Sequence, residues 1–164
     1  MKLQTFTFAD AEHAARFASK LYSDFELTVG NRIVEQPTRK GPADVVVLAT
    51  PMFNFSLPAV VKAWFDAVLL KGETWDAGES GYRGLLPGRK ALVLMASGGR
   101  YEGPMAGWDH GMSLAKQLFQ FMGFDDVRPA WASGVNVPNL GPVEKIVAAA
   151  QDEVRKAVRD WYGR

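Results

Sequence analysis

Asp44-Val-Val-Val-Leu-Ala-Thr-Pro-Met-Phe-Asn-Phe-Ser-Leu-Pro-Ala-Val-Val-Lys-Ala-Trp-Phe-Asp66 decides the fold of this chain. Its first part, Asp44 to Thr50, is an apolar run of strand length, as expected of a parallel strand covered on both faces. Thr50 precedes a proline and is pushed to extended backbone, so the strand ends in a sharp exit. Ser56 suits an N-cap, with Pro58 in the first helical turn. Val60, Val61, Trp64, Phe65, Val68 and Leu69 then recur at helical spacing, and Lys71-Gly72 supplies a cation and a C-terminal glycine to close the helix. A buried strand, a polar turn flanked by aromatics and an amphipathic helix form the unit from which open α/β sheets build ligand crevices. Phe53, Asn54 and Phe55 suit a flat heterocycle with polar edges.

Outward from this stretch the same grammar repeats. Leu3 to Phe8 alternates as a strand, and Ala14, Phe17, Ala18, Leu21 and Tyr22 follow at helical spacing. Phe25 to Val29 reads as a second short strand, and Gly30-Asn31 offers a hairpin turn toward Arg32 to Val34. On the other side, residues 72–88 carry five glycines with little periodicity and read as a loop. Ala91 to Met95 is another buried strand, ending at Ala96-Ser-Gly-Gly99. Trp108 to Met122 is helical, with Met112, Ala115, Leu118, Phe119 and Met122 in register. Val127 to Ala132 is a last strand. Pro142 opens a final helix striped by Val143, Ile146, Val147, Ala150, Val154, Ala157, Val158 and Trp161. The order β-α-β-β-α-β-α-β-α with right-handed crossovers predicts a doubly wound parallel sheet between helical layers. Five strands fit a flavodoxin-like three-layer sandwich of order 2-1-3-4-5, as one domain over residues 1–164.

Composition excludes several classes. Net charge is +1, the pI is near 8.0, and the basic residues are scattered, so neither nucleic acid nor an anionic membrane is an expected partner. There is no cysteine, which excludes disulfides, thiolate nucleophiles and Cys-ligated metals. Two histidines without a spaced pair or a carboxylate cluster make a metal site unexpected. No apolar run reaches the ~20 residues of a membrane span, and the start lacks a signal-peptide core; a cytoplasmic location is expected. Aromatics make up 12% of the chain, with five tryptophans, more than one small core readily hides, which favours a homodimer.

Three segments should converge at the carboxyl ends of the strands: Phe8 to Glu12, Thr50 to Ser56 and Ala96 to Tyr101. Gly98-Gly99 lets backbone approach a ligand and leaves N–H donors for its carbonyls. Asn54 both donates and accepts, while Met52, Phe53 and Phe55 provide apolar walls. On residue types alone, the aromatic turn is equally readable as a packed loop and Ser97-Gly-Gly as a plain turn. His110 reads as a capping or surface residue, and His13 as structural or solvated.

The chain resembles the FMN-dependent NAD(P)H:quinone oxidoreductase and azoreductase family of flavodoxin-like proteins. The resemblance runs from about Asp44 to Val135. Its pieces are Pro51-Met-Phe-Asn-Phe-Ser56 with the helix after it, Lys71-Gly-Glu-Thr-Trp75, Gly84-Leu-Leu-Pro-Gly-Arg-Lys-Ala-Leu-Val93, Ser97-Gly-Gly-Arg-Tyr101 and Leu118-Phe-Gln-Phe-Met-Gly-Phe124. It implies a homodimer with FMN at interfacial sites. The isoalloxazine would rest on Pro51, Met52, Phe53, Asn54 and Phe55, with Ser97, Gly98 and Gly99 at its pyrimidine end. NADH or NADPH would supply a hydride, and a quinone, azo or nitro aromatic would accept two electrons. If the crevice serves another small aromatic ligand without flavin, Asn54, Tyr101 and His110, with Arg100, are the polar groups available for acid–base work.

The chain departs from the family in three places, one being the long connection many members carry between the second and third strands, which residues 30–43 replace by a direct link. Phe53 stands where a tyrosine is common. Phe8-Ala-Asp-Ala-Glu-His-Ala14 stands where family members place a Ser-rich, phosphate-binding loop, so Asp10 and Glu12 occupy the anion's position. Each charge-assisted phosphate bond is worth about 1.5–3 kcal/mol, so losing several takes an FMN site from nanomolar toward micromolar. A relative that has lost FMN and handles another small aromatic ligand, or a non-catalytic dimeric binding protein, are the alternatives.

Overall fold

The computed structural model describes the strand Thr5–Phe6 and residues 45–163. The first predicted helix, the Phe25 to Val29 strand, the Gly30-Asn31 turn and the Phe8 to Glu12 segment lie outside the described residues. The order of elements is β1 (Thr5–Phe6), β2 (Val45–Pro51), α1 (Ala59–Val68), β3 (Trp75–Gly78), β4 (Gly81–Gly84), β5 (Lys90–Ser97), a 3₁₀ helix (Gly103–Trp108), α2 (Met112–Phe121), β6 (Asp126–Ser133) and α3 (Val143–Tyr162). Strands β1, β2, β5 and β6 form one parallel sheet in that spatial order.

The apolar strands alternate between two cores. Leu48, Ala91, Val93 and Met95 face α1 and α2, where Val61, Phe65, Val68, Ala115 and Phe119 bury against them. Val47, Leu92 and Ala130 face α3, which contributes Ala157 with Val154 and Trp161 beside it. A near-continuous apolar strand is thus two half-patterns of period two, each satisfied by a different helical layer. Phe65, Phe119 and Trp64 lock the first layer through edge contacts 4.9–6.2 Å between centroids. Along α3 only Ala157 of the predicted stripe is fully buried, and Val143, Val147 and Val158 stay exposed.

Three local expectations are corrected. Residues 72–88 are not a plain loop: β3 and β4 form an antiparallel hairpin there, with Trp75 opposite Gly84 and Gly78 opposite Gly81. Ser56 does not cap α1, and Pro58 precedes the helix instead of sitting in its first turn. The Pro58 carbonyl accepts the N–H groups of Val61 and Lys62 at 2.9 and 3.0 Å, and no side chain caps this end. Nor is α1 closed by Lys71-Gly72. The buried Thr74 hydroxyl donates to the Val68 carbonyl (2.7 Å), and Trp75 Nε1 donates to that of Leu69 (3.2 Å), satisfying orphan carbonyls of the last turn.

The hairpin docks on the far end of α2 through backbone. Leu86 N–H donates to the Met122 carbonyl at 2.9 Å, and a Cβ on Gly84 would fall on the backbone of Gly123. At the opposite edge of the sheet from the crevice, Arg128 bridges Asp126 and Asp160, and Trp161 Nε1 donates to Asp126 (2.7 Å). The hydrogen bond from Arg128 holds the Asp126 carboxyl below its ordinary range, against the upward push of its partial burial.

Phe119→Ala should destabilise the chain by about 3–5 kcal/mol in urea unfolding, the cost of emptying a fully buried aromatic site. Gly84→Ala should cost about 2 kcal/mol or more despite adding one methyl, because backbone cannot move aside as a side chain can. Asp126 contributes stability above its unfolded pKa of ~3.9, and loses it as pH falls through its lower folded value. The stability gap between wild type and Asp126→Asn should therefore close on acidification below about pH 4.

Candidate functional site at the carboxyl ends of the strands

Strand β2 leaves the sheet at Pro51, level with Ala96 on β5 and Ala132 on β6. Met52 N–H still donates to the Ala96 carbonyl (2.8 Å), and then the chain reverses. Phe53 and Ser56 exchange two backbone bonds of 2.9 Å, with Asn54 at φ 47° and Phe55 at φ 70° between them. This is a two-residue turn with both central residues left-handed, the type I′ geometry. Asparagine tolerates that region well. An aromatic residue does not, and strain of this kind is worth about 1–3 kcal/mol.

Several contacts over-determine the strained residue. The Phe55 carbonyl accepts the His110 N–H at 2.9 Å, and the Ser56 hydroxyl donates to the His110 carbonyl at 3.1 Å. Asp109 fixes the chain at that point: its carboxylate accepts the N–H groups of Gly111, Met112 and Ser113 at 2.9–3.1 Å, capping α2. The Phe55 ring meets Trp108 edge-on at 5.2 Å and Tyr101 at 6.2 Å, while Tyr101 stacks on Trp131 at 5.8 Å. Phe53 and Trp108 are nevertheless about half exposed, at 48% and 51%, and Phe55 and Met105 are exposed beside them. An open aromatic surface of this kind, next to strand ends, marks a binding face.

The loop after β5 completes the floor. Ser97 is buried; its hydroxyl donates to the Gly99 carbonyl and accepts Trp131 Nε1, both at 2.9 Å. A Cβ on Gly98 would press on the Asn136 side chain at 3.0 Å, and one on Gly99 on the Tyr101 hydroxyl at 3.3 Å. The glycines are needed here for close packing, since neither has a positive φ. The N–H groups of Asn54, Phe55, Gly98 and Gly99 meet no acceptor among the described residues. Arg100 is paired with Glu102 at 2.6 Å. No cluster of three or more metal-ligating side chains occurs among the described residues.

The structure thus brings together Pro51, Phe53, Asn54, Phe55, Gly98, Gly99, Tyr101 and His110 at one end of the sheet. Two predicted site residues contribute differently from expectation. Met52 is buried in the core against Met95 and Gly111 and offers only backbone. The Ser97 hydroxyl is engaged within the loop, so it braces the floor. His110 is tied to the turn through its backbone. The position of Trp131 near a strand end is visible in the sequence, but its bond to Ser97 and the roles of Asn136 and Asp109 are contacts that the sequence does not show.

A family model described as a flavodoxin-like fold matches residues 8–158, and the chain belongs to that family. It is 42% identical over 130 residues to the FMN-dependent NADH:quinone oxidoreductase 3 of Pseudomonas aeruginosa, a match covering 78% of this chain and 57% of that protein. The chain therefore spans little more than half the length of this relative. Among solved structures, it is similar to an azoreductase from Bacillus anthracis strain Sterne (TM-score 0.68, 26% identity, 92% of this chain and 67% of that one). It is also similar to the FMN-dependent NADH-azoreductase of B. anthracis strain Ames Ancestor in complex with FMN (TM-score 0.65, 25% identity, 96% and 67%). No helix among the described residues is long and apolar enough to cross a membrane.

Ser97→Ala should lower stability by about 1–3 kcal/mol in denaturant titrations, because Trp131 Nε1 loses its acceptor. Ser97→Thr, which keeps the hydroxyl, should recover part of that loss.

Proposed function

We propose that the chain is an FMN-dependent NAD(P)H oxidoreductase that reduces quinones, azo or nitro aromatics by two-electron transfer. The observation that carries this reading is the type I′ turn at the end of β2. It holds two N–H groups that meet no acceptor among the described residues, beside an open aromatic wall. The ring end of the site fits a flat heterocycle: apolar faces stand next to donors that match carbonyl and ring-nitrogen acceptors. FMN, when bound, supplies the redox chemistry, taking a hydride from NADH or NADPH and delivering electrons to the acceptor.

The protein's own part is orientation. Asn54 and Phe55 would offer backbone donors to the edge of the ring, and Gly98 and Gly99 would offer theirs to its pyrimidine end. Phe53, Phe55 and Trp108 give an aromatic acceptor a surface to stack on and exclude water from it. The Asn54 amide would hydrogen-bond only, and the Tyr101 hydroxyl and the His110 imidazole would be the groups able to hold or move a proton. The names of the similar proteins, an NADH:quinone oxidoreductase, an azoreductase and an FMN-dependent NADH-azoreductase, agree with this chemistry.

The same reading extends to architecture. The order β1-β2-β5-β6 is compatible with positions 1-3-4-5 of the proposed 2-1-3-4-5 arrangement. Residues 1–164 would form one such domain, acting in the cytoplasm as a homodimer whose interface covers part of the exposed aromatic surface.

Titrating the purified chain into FMN should quench flavin fluorescence with a dissociation constant of about micromolar, and NADH should then bleach the bound flavin's visible band. Asn54→Pro, which cannot adopt a positive φ and carries no N–H, should abolish the quenching. Unchanged flavin fluorescence in wild type up to millimolar concentrations would overturn the assignment.

A further inference from the structure

Phe55 keeps a costly backbone conformation, and its neighbours on the turn do not explain by themselves why it stays there. The two bonds between Phe53 and Ser56 close the turn and Met52 ties its base to Ala96, yet none of these reaches the Phe55 carbonyl. What ties it down is a second strand-like pairing: Ser56 and His110 form a parallel bridge remote in sequence. Within it, His110 N–H donates to the Phe55 carbonyl and the Ser56 hydroxyl donates to the His110 carbonyl. His110 is itself immobilised between the 3₁₀ helix and α2. Asp109 accepts three N–H groups of the α2 start, and its carbonyl accepts the Ser113 hydroxyl. Met52 packs against Gly111 from below.

We propose that Ser56 and Asp109 are positioning residues for the flavin: the Ser56–His110 bridge, anchored by the Asp109 cap, fixes the turn that aims the Asn54 and Phe55 N–H groups at the ring. Both side chains are engaged with backbone, Ser56 with the His110 carbonyl and Asp109 with the amides at the start of α2. Both act by holding donors where rearrangement would otherwise subtract from binding. The inference rests on the proposed use of FMN, because it assigns a purpose to the orientation of those donors.

The test combines two measurements. Amide exchange is followed by NMR in the FMN-free chain, and FMN affinity by fluorescence quenching. Ser56→Ala should accelerate exchange at the Ser56 and His110 amides about 5- to 10-fold, the scale of one lost hydrogen bond. It should raise the FMN dissociation constant by a similar factor and alter the visible circular dichroism of the bound flavin. Ser56→Thr should restore all three. Asp109→Asn, which keeps a capping oxygen, should resemble wild type, while Asp109→Ala should shift both readouts as Ser56→Ala does.

A merely structural role would lower the melting temperature of Ser56→Ala and leave FMN affinity and the flavin spectrum at wild-type values; that result overturns the inference. If wild type itself fails to quench FMN, the functional reading falls and the flavin role of Ser56 falls with it. The exchange data then report separately whether the bridge holds the turn.

Discussion

Pro51, Ala96 and Ala132 stand side by side across three parallel strands, and the rest of the structure follows from that level register. Three chain segments leave the sheet at one height, so the turn after β2, the glycines after β5 and the Gly134 to Asn136 corner after β6 meet. The corner is tied in by backbone: Gly134 and Val135 N–H groups donate to the Ser97 carbonyl at 2.9 and 3.1 Å, and Asn136 N–H to that of Gly98 at 3.1 Å. The register is fixed by side chains far below the site. A slip of one residue would turn Leu48 toward α3 and Val47 toward α1, exchanging residues shaped for different layers. The position of the binding face is therefore set by packing in the two cores.

The aromatic residues make the face behave as one body. Trp131 on β6 stacks on Tyr101, Tyr101 meets Phe55, and Phe55 meets Trp108 at the end of the 3₁₀ helix. Each ring belongs to a different segment, so a shift in any one loop is felt by the others through contacts of 5–6 Å between centroids. The charged groups nearby are already engaged. Arg100 is paired with Glu102 and Asp109 caps α2, which leaves the exposed wall largely uncharged among the described residues. Such a surface discriminates by shape and by stacking more than by net charge.

The strands and helices of this half of the chain were legible because burial on both sides demands unbroken apolar runs, and Val45 to Leu48 or Ala91 to Met95 admit no other reading. The hairpin of β3 and β4 was not legible. Its ends are glycines and its outward face carries Tyr82, 73% exposed, so the period-two signal was lost. The site was half visible. Pro51 to Phe55 declared a turn, and Gly98-Gly99 declared close approach. A type I′ turn with phenylalanine at its second central position breaks the usual Asn-Gly rule, so only coordinates reveal it. The bracing residues Trp131, Asp109 and Asn136 were hidden for a different reason. Their roles are contacts across long sequence separations, which no local pattern encodes.

This division bears on how binding energy is distributed. Among the described residues, the proposed ring end of the site is built from residues 51–136, while the segment expected to receive a phosphate, Phe8 to Ala14, offers carboxylates and no hydroxyl or glycine. A ligand held weakly at its tail must obtain most of its affinity from the ring. A handful of neutral hydrogen bonds worth about 0.5–1.5 kcal/mol each and one stacked face leave little surplus once the entropy of association is subtracted. Under that constraint flexibility in the turn is expensive, because every kilocalorie used to order Asn54 and Phe55 on binding is taken from a small total. A strained turn that is pre-formed, clamped by the Ser56–His110 bridge and wedged between two aromatic rings is the arrangement that loses least. The strain at Phe55 is met by folding, before any ligand arrives. In a chain with a full phosphate cradle the same clamp would matter less, since tail contacts could offset the ordering of a loose turn.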